Sequence, residues 1–91
     1  MHVVYMLLCK DSTLYVGSTN NLEKRFKEHN HSKNGAHYTK IRRPVELVYS
    51  ESLETYSEAR KREAELKRLP REKKLNLVSF FHDTKGSSDH S

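Results

Sequence analysis

Seven consecutive apolar residues, Val3-Val4-Tyr5-Met6-Leu7-Leu8-Cys9, stand near the start of the chain and limit its fold more than any other stretch. A strand with one wet face alternates, whereas a strand apolar at every position must be covered on both faces, inside a sheet. Lys10-Asp11-Ser12 then supplies turn chemistry, and Thr13 to Ser18 is rich in β-branched and aromatic residues. The two segments read as an antiparallel hairpin. A three-residue loop opposes Cys9 to Thr13, Leu7 to Tyr15 and Tyr5 to Gly17, so Tyr5 and Tyr15 project from one face. A register one residue off would separate them. Gly17 leaves open space opposite the first phenol.

Ninety-one residues suffice for one domain with one modest core and not for two. Only 34% are apolar, so most Val, Leu, Ile and Phe side chains belong inside. Seventeen Lys and Arg against twelve Asp and Glu leave a formal charge of +5, which favours an anionic partner, nucleic acid being the commonest. Cys9 is the lone cysteine, so an intramolecular disulfide is excluded and a zinc finger has little support. It closes an apolar strand and reads as packing, not as a nucleophile. His29, His31 and His37 lack a tetrahedral partner set, and His82 and His90 fall at the far end. The early apolar run is too short for a signal peptide and lacks a charged lead; nothing approaches a membrane span. The expectation is a soluble cytoplasmic protein.

After the hairpin, Thr19 and Asn20 are good caps for a helix from Asn21 to about Asn30. A basic, polar connection containing Gly35 follows, without periodicity, to Arg43. Pro44-Val45-Glu46-Leu47-Val48-Tyr49 alternates and predicts a third strand, at an edge because it starts with Pro. Thr55-Tyr56-Ser57-Glu58 is a capping box that opens a long helix to about Leu69. Pro70 suits the first turn of a final helix ending near Phe80. The chain thus predicts one α/β (α+β) domain over residues 1–81, a three-stranded antiparallel sheet flanked by three helices. A disordered tail is expected over residues 82–91.

Helical geometry singles out polar residues that point inward. At about 100° per residue, with Leu22 at zero, Phe26 lies at about +40°, His29 at about −20° and Arg25 at about −60°. In the long helix, with Ala59 at zero, Leu66 lies at about −20°, Glu63 at about +40° and Tyr56 at about +60°. Glu58 and Glu65 fall elsewhere. A carboxylate aimed at a core is costly unless a cation meets it, and inward Arg25 and His29 carry the same cost. Two arrangements resolve it. Arg25 and Glu63 form a structural ion pair beside a satisfied histidine, or the three converge around a bound ion and an anionic substrate. Tyr49 and Tyr56 read as core packing, and the run Arg60 to Arg62 with Lys67 and Arg68 as a mostly solvated helix face that can add phosphate attraction. Lys33, Lys40, Arg42 and Arg43, with Tyr38, suit phosphate tracking and base stacking.

Val3-Val4-Tyr5, then Tyr15-Val16-Gly17, then Arg25 and His29 one helical turn apart, then a glutamate in Ala59-Arg60-Lys61-Arg62-Glu63, resembles the GIY-YIG endonuclease family. The likeness spans roughly residues 2 to 80 and is closest to small bacterial proteins made of a stand-alone domain. Val3-Val4 replaces the Gly-Ile of the first motif; the phenol is kept. The resemblance implies a catalytic set of Tyr5, Tyr15, Arg25, His29 and Glu63, with Glu63 holding Mg²⁺ or another divalent cation such as Mn²⁺. It also matches Asn76 to a polar residue that some members place nearby. Phosphodiester hydrolysis is the expected activity, with DNA the expected substrate and repair, recombination or turnover the setting. A non-catalytic nucleic-acid-binding module, or a nuclease subunit that needs a targeting protein partner, are the competing readings. A free phenol ionises at a pH of about 10 and would need cationic neighbours to serve as base, whereas histidine titrates at about 6.5 unaided.

Overall fold

The apolar opening run becomes β1 (His2–Cys9), the middle strand of a three-stranded antiparallel sheet in a computed structural model describing residues 1–89, with side chains through residue 81. β2 (Leu14–Thr19) and β3 (Val45–Leu53) flank it in the order β2-β1-β3, so β3 lies at an edge as its leading proline predicts. Between β2 and β3 come α1 (Leu22–His31) and α2 (His37–Lys40), a single turn that the sequence does not announce. α3 (Tyr56–Arg68) and α4 (Arg71–Asp89) complete the chain. α4 passes the expected end near Phe80; residues 90–91 of the expected tail lie outside the described residues. No described helix is long and apolar enough to cross a membrane.

Both faces of β1 are covered. Val4 and Met6 point to one side, where Ala59 and Leu66 of α3 close over them, with Leu77, Val78 and Phe81 of α4 packed around. Tyr5, Leu7 and Cys9 point to the other, beneath Leu22 and Phe26 of α1 and Tyr38 of α2. The hairpin has the expected register, Leu7 opposite Tyr15 and Tyr5 opposite Gly17. Its loop closes through Cys9 N–H to Thr13 O at 2.9 Å, with Ser12 at φ 71° taking the left-handed position of a three-residue turn. Asp11 Oδ1 accepts from the N–H and hydroxyl of Thr13, which firms that turn.

β3 is longer than the alternating segment suggests, and its register with β1 slips by one residue between the Met6–Tyr49 and Leu7–Leu47 pairs. That bulge leaves Val48 unopposed, so Val48 and Tyr49 are consecutive yet both enter the α3 and α4 cluster.

Helix ends are held by side chains. Asn21, not Thr19 or Asn20, caps α1 by accepting from Lys24 N–H, while Thr19 Oγ1 accepts from Asn21 N–H. Thr55 caps α3 as expected, but the Glu58 carboxylate accepts from the Thr55 hydroxyl in place of its N–H. At the far end of α1, Arg43 donates to three carbonyls, those of Glu28, His29 and Ser32, at 3.0, 2.5 and 2.5 Å. A cation on the carbonyl end of a helix is favoured by both hydrogen bonding and the dipole. Asn30 adds a second tie, its amide pairing with both N–H and C=O of Val45 at 2.8 and 3.0 Å.

Replacing Arg43 with Met keeps the aliphatic stem and removes these charged bonds. The Arg43→Met protein should lose about 2–3 kcal/mol in urea unfolding. An unchanged midpoint would mean that Arg43 does not secure the helix.

Candidate active site

Tyr5 comes from the centre of β1 and is 1% exposed. Its hydroxyl lies 2.7 Å from Nε2 of His29, which is fully buried on α1. On the other side of the imidazole, Nδ1 is 2.8 Å from the hydroxyl of Thr39 in α2. Thr39 donates in turn to the Ala36 carbonyl at 2.9 Å. A carbonyl accepts only, so the Thr39 proton points to it and the Thr39 oxygen receives Nδ1–H. His29 therefore carries its proton on Nδ1, and Nε2 accepts from Tyr5. The direction of a three-bond chain follows from its last acceptor.

Tyr15, half-buried on β2, joins the same wall, its ring 6.5 Å from Tyr5 and edge-on to His29 at 5.1 Å. Gly17 faces the Tyr5 phenol because of the register, and the space its missing side chain leaves is filled by that phenol. A Cβ there would stand 2.6 Å from the hydroxyl oxygen and 3.1 Å from the Tyr15 ring. This is a site where glycine is needed for close approach, not for an unusual φ.

Burial, above all, pushes the Tyr5 phenol upward from its ordinary value, and negative charge on Tyr15 or Glu63 adds to this while Arg25 pulls the other way. Burial first, then the Arg25 charge, pushes His29 down to about 4, with Arg43 adding and Glu28 opposing. Both differ from the sequence expectation of a phenol eased toward neutrality and a histidine titrating unaided. In the folded protein the pair is neutral with Nε2 accepting the phenol's hydrogen bond, and both shifts oppose moving that proton unless cationic charge at the phenol assists.

Arg25 lies on the margin of the apolar stripe, as its helical angle predicts. Its Nη1 donates to Glu28 Oε1 and to Asn34 O, both at 3.0 Å, and its charge acts on Tyr5. The structural pairing of Arg25 is thus with Glu28, not Glu63. Glu63, 8% exposed, reaches the β2 edge from α3: Oε1 accepts from Ser18 Oγ at 2.7 Å and lies 3.5 Å from Arg60, and Oε2 lies 2.9 Å from Lys67. Burial raises its carboxyl, but the Ser18 bond and the two cations outweigh that and hold it below the usual range. Its charge is felt by the Tyr5 phenol.

Among the described residues no cluster of three or more His, Cys, Asp or Glu side chains is placed to hold a metal. One ionised carboxylate beside a hydroxyl still fits a hard cation that keeps most of its waters, and Arg60 and Lys67 already set positive charge where it would sit. Glu63 and Ser18 are the residues that could hold such a cation.

The basic connection is placed differently from expectation. Arg43 is bound to helix carbonyls, and Arg42 donates to Asp11 and to Tyr38 O while stacking 3.9 Å above the Tyr38 ring. The Tyr38 ring also lies 5.8 Å from that of Tyr15. Lys33 is exposed and Lys40 half-buried. Asn76 is exposed on α4, and Tyr56, expected in the core, is 61% exposed at the first turn of α3 with His2 against it. Sequence reasoning missed Thr39 and Ser18, short polar residues whose importance comes only from what they touch.

Two phenols share one sheet face beside an arginine and a histidine on the first helix, with a glutamate arriving from a later one, on a fold of the nuclease class. The match to the GIY-YIG catalytic domain runs over residues 1–76, and the chain belongs to that family. A UPF0213 protein of Staphylococcus saprophyticus is 54% identical over 78 residues, which cover 86% of this chain and 94% of that one. A UPF0213 protein of Clostridium perfringens is 54% identical over 79 residues, 87% and 84% of the two chains. The solution NMR structure of a UPF0213 protein from Bacillus halodurans matches with a TM-score of 0.57 and 43% identity over 87% of this chain and 83% of that one. That of an E. faecalis protein matches with 0.61 and 44% over 89% and 85%.

The low His29 value makes stability depend on pH. The unfolded histidine takes its proton at about 6.5 and the folded one only at about 4, so between them the unfolded state holds more protons. Stability should be full above the first value and fall as pH drops through the window, by on the order of 2 kcal/mol between pH 7 and pH 5. Urea unfolding of the wild type and His29→Gln at both pH values tests this; equal slopes would refute it.

Proposed function

We propose that this protein is a metal-assisted endonuclease that hydrolyses phosphodiester bonds of nucleic acid, DNA first among substrates. The observation that carries the reading is the Tyr5–His29 bond of 2.7 Å with Nε2 fixed as acceptor. It sets a proton acceptor against the phenol, beside a guanidinium whose charge eases the phenol's ionisation and a carboxylate whose charge opposes it until a cation covers that carboxylate.

A water at the Tyr5 oxygen gives up a proton to it as Tyr5 passes its own to His29 Nε2. The resulting hydroxide attacks phosphorus in line while the bond to the leaving sugar oxygen breaks, and that oxygen takes a proton from solvent. Arg25 grips a non-bridging phosphate oxygen and favours the phenol in its transient anionic form. Tyr15, the more open phenol, positions phosphate or water. Glu63 and Ser18 would hold the divalent cation, Mg²⁺ or Mn²⁺, which when bound supplies Lewis-acid stabilisation of the phosphate.

Nicking of plasmid, flapped and branched DNA, with RNA alongside, should require added Mg²⁺ or Mn²⁺ and vanish in Glu63→Ala. Tyr5→Phe and His29→Ala should each lower the rate by about 10²–10⁴-fold. The wild-type rate should fall on the acid side as His29 protonates, a limb that His29→Ala lacks. Cleavage undiminished in Glu63→Ala would defeat the proposal. Binding without cleavage on any substrate would favour a non-catalytic module, and cleavage only with an added protein a partner-dependent subunit. Separately, Gly17→Ala should displace the Tyr5 phenol and cut cleavage at least as much as Tyr5→Phe; near-wild-type cleavage would contradict the close approach.

A further inference from the structure

Glu63 is nearly buried, yet its two cationic neighbours are not. The side chains of Arg60 and Lys67 are 59% and 55% exposed, three residues before it and four after. Ion pairs this open contribute little, so they can be exchanged at small cost. Arg62 is a useful contrast. Its Nε donates to both oxygens of Glu51, at 3.0 and 3.2 Å, and its side chain is only 31% exposed. That pair is built to stay.

Seven residues of helix separate Arg60 from Lys67, about 10 Å along the axis. One nucleic-acid strand presents a phosphate roughly every 3.4 Å of its axis, so that span covers roughly three. Each cation can meet one, with another between them over Glu63. In the same position Arg60 also faces Tyr56, its guanidinium carbon 6.0 Å from the ring centroid. That ring borders a cleft of about 260 Å³ that includes Ser18, the residue bonded to Glu63.

We propose that Arg60 and Lys67 are exchangeable counterions: they neutralise Glu63 in the free protein and pass to the phosphates flanking the scissile one when substrate and divalent cation arrive. The polyanion is then gripped along α3 and not chiefly by the connection before β3, where Arg42 and Arg43 are bound within the fold. This rests on the reading of Glu63 as the cation-holding residue.

Exchange gives two effects of opposite sign, read without cleavage. Mn²⁺ titration of the protein alone, followed by electron paramagnetic resonance, should show Lys67→Met binding about two- to fivefold more tightly than wild type, the loss of one open ion pair. Binding of a hydrolysis-resistant phosphorothioate oligonucleotide should weaken in Lys67→Met and Arg60→Met, each with a salt slope shallower by about one unit. Both side chains are exposed, so the variants should fold. Unchanged or weaker Mn²⁺ binding in Lys67→Met overturns the exchange, and so does an unchanged salt slope in both variants. Either result leaves Glu63-dependent cleavage standing. Wild-type Mn²⁺ affinity in Glu63→Ala instead removes the metal reading itself, and the exchange with it.

Discussion

The hydrogen bond between Tyr5 and His29 joins the middle strand to the first helix between two buried side chains. Two polar groups placed there unpaired would each be destabilising, and together they satisfy one another. The imidazole still has a second nitrogen, and Thr39 answers it from the four-residue helix that also brings Tyr38 to the core. A strand, a helix and a short turn are thereby locked through side chains that carry no net charge. Once that chain is directional, the site has a polarity before any substrate arrives.

Much of this was legible in the residues. Period-two geometry and a three-residue loop fix which hairpin residues oppose each other, so the shared face of the tyrosines could be read directly. The helical angle likewise marked His29 and Glu63 as inward. It failed for Tyr56, because an angle tells which way a residue points but not whether the neighbouring sheet extends that far. α2 has too few residues to show a period. Thr39 and Ser18 act across 10 and 45 positions of chain, distances at which local pattern is silent.

Charge was the least legible property. Composition sums positive side chains without regard to what each one meets. Arg43 meets three carbonyls, Arg42 an aspartate and a tyrosine face, and Arg62 a glutamate. Arg42 and Arg43 of the connection before β3 thus shape the fold around the site, whereas Arg60 and Lys67 on α3 stay more than half exposed. A basic protein can hold its charge in reserve on one element while another consumes it internally.

The Asn30 amide on Val45 has a bearing on self-association. As the outer strand opposite β2, β3 could serve as a template on which a second chain extends the sheet. By imitating one peptide unit, the amide of Asn30 fills the donor and acceptor at the strand's first residue, where such an extension would begin. A helix terminus thus closes the first peptide groups of the outer strand with a single side chain.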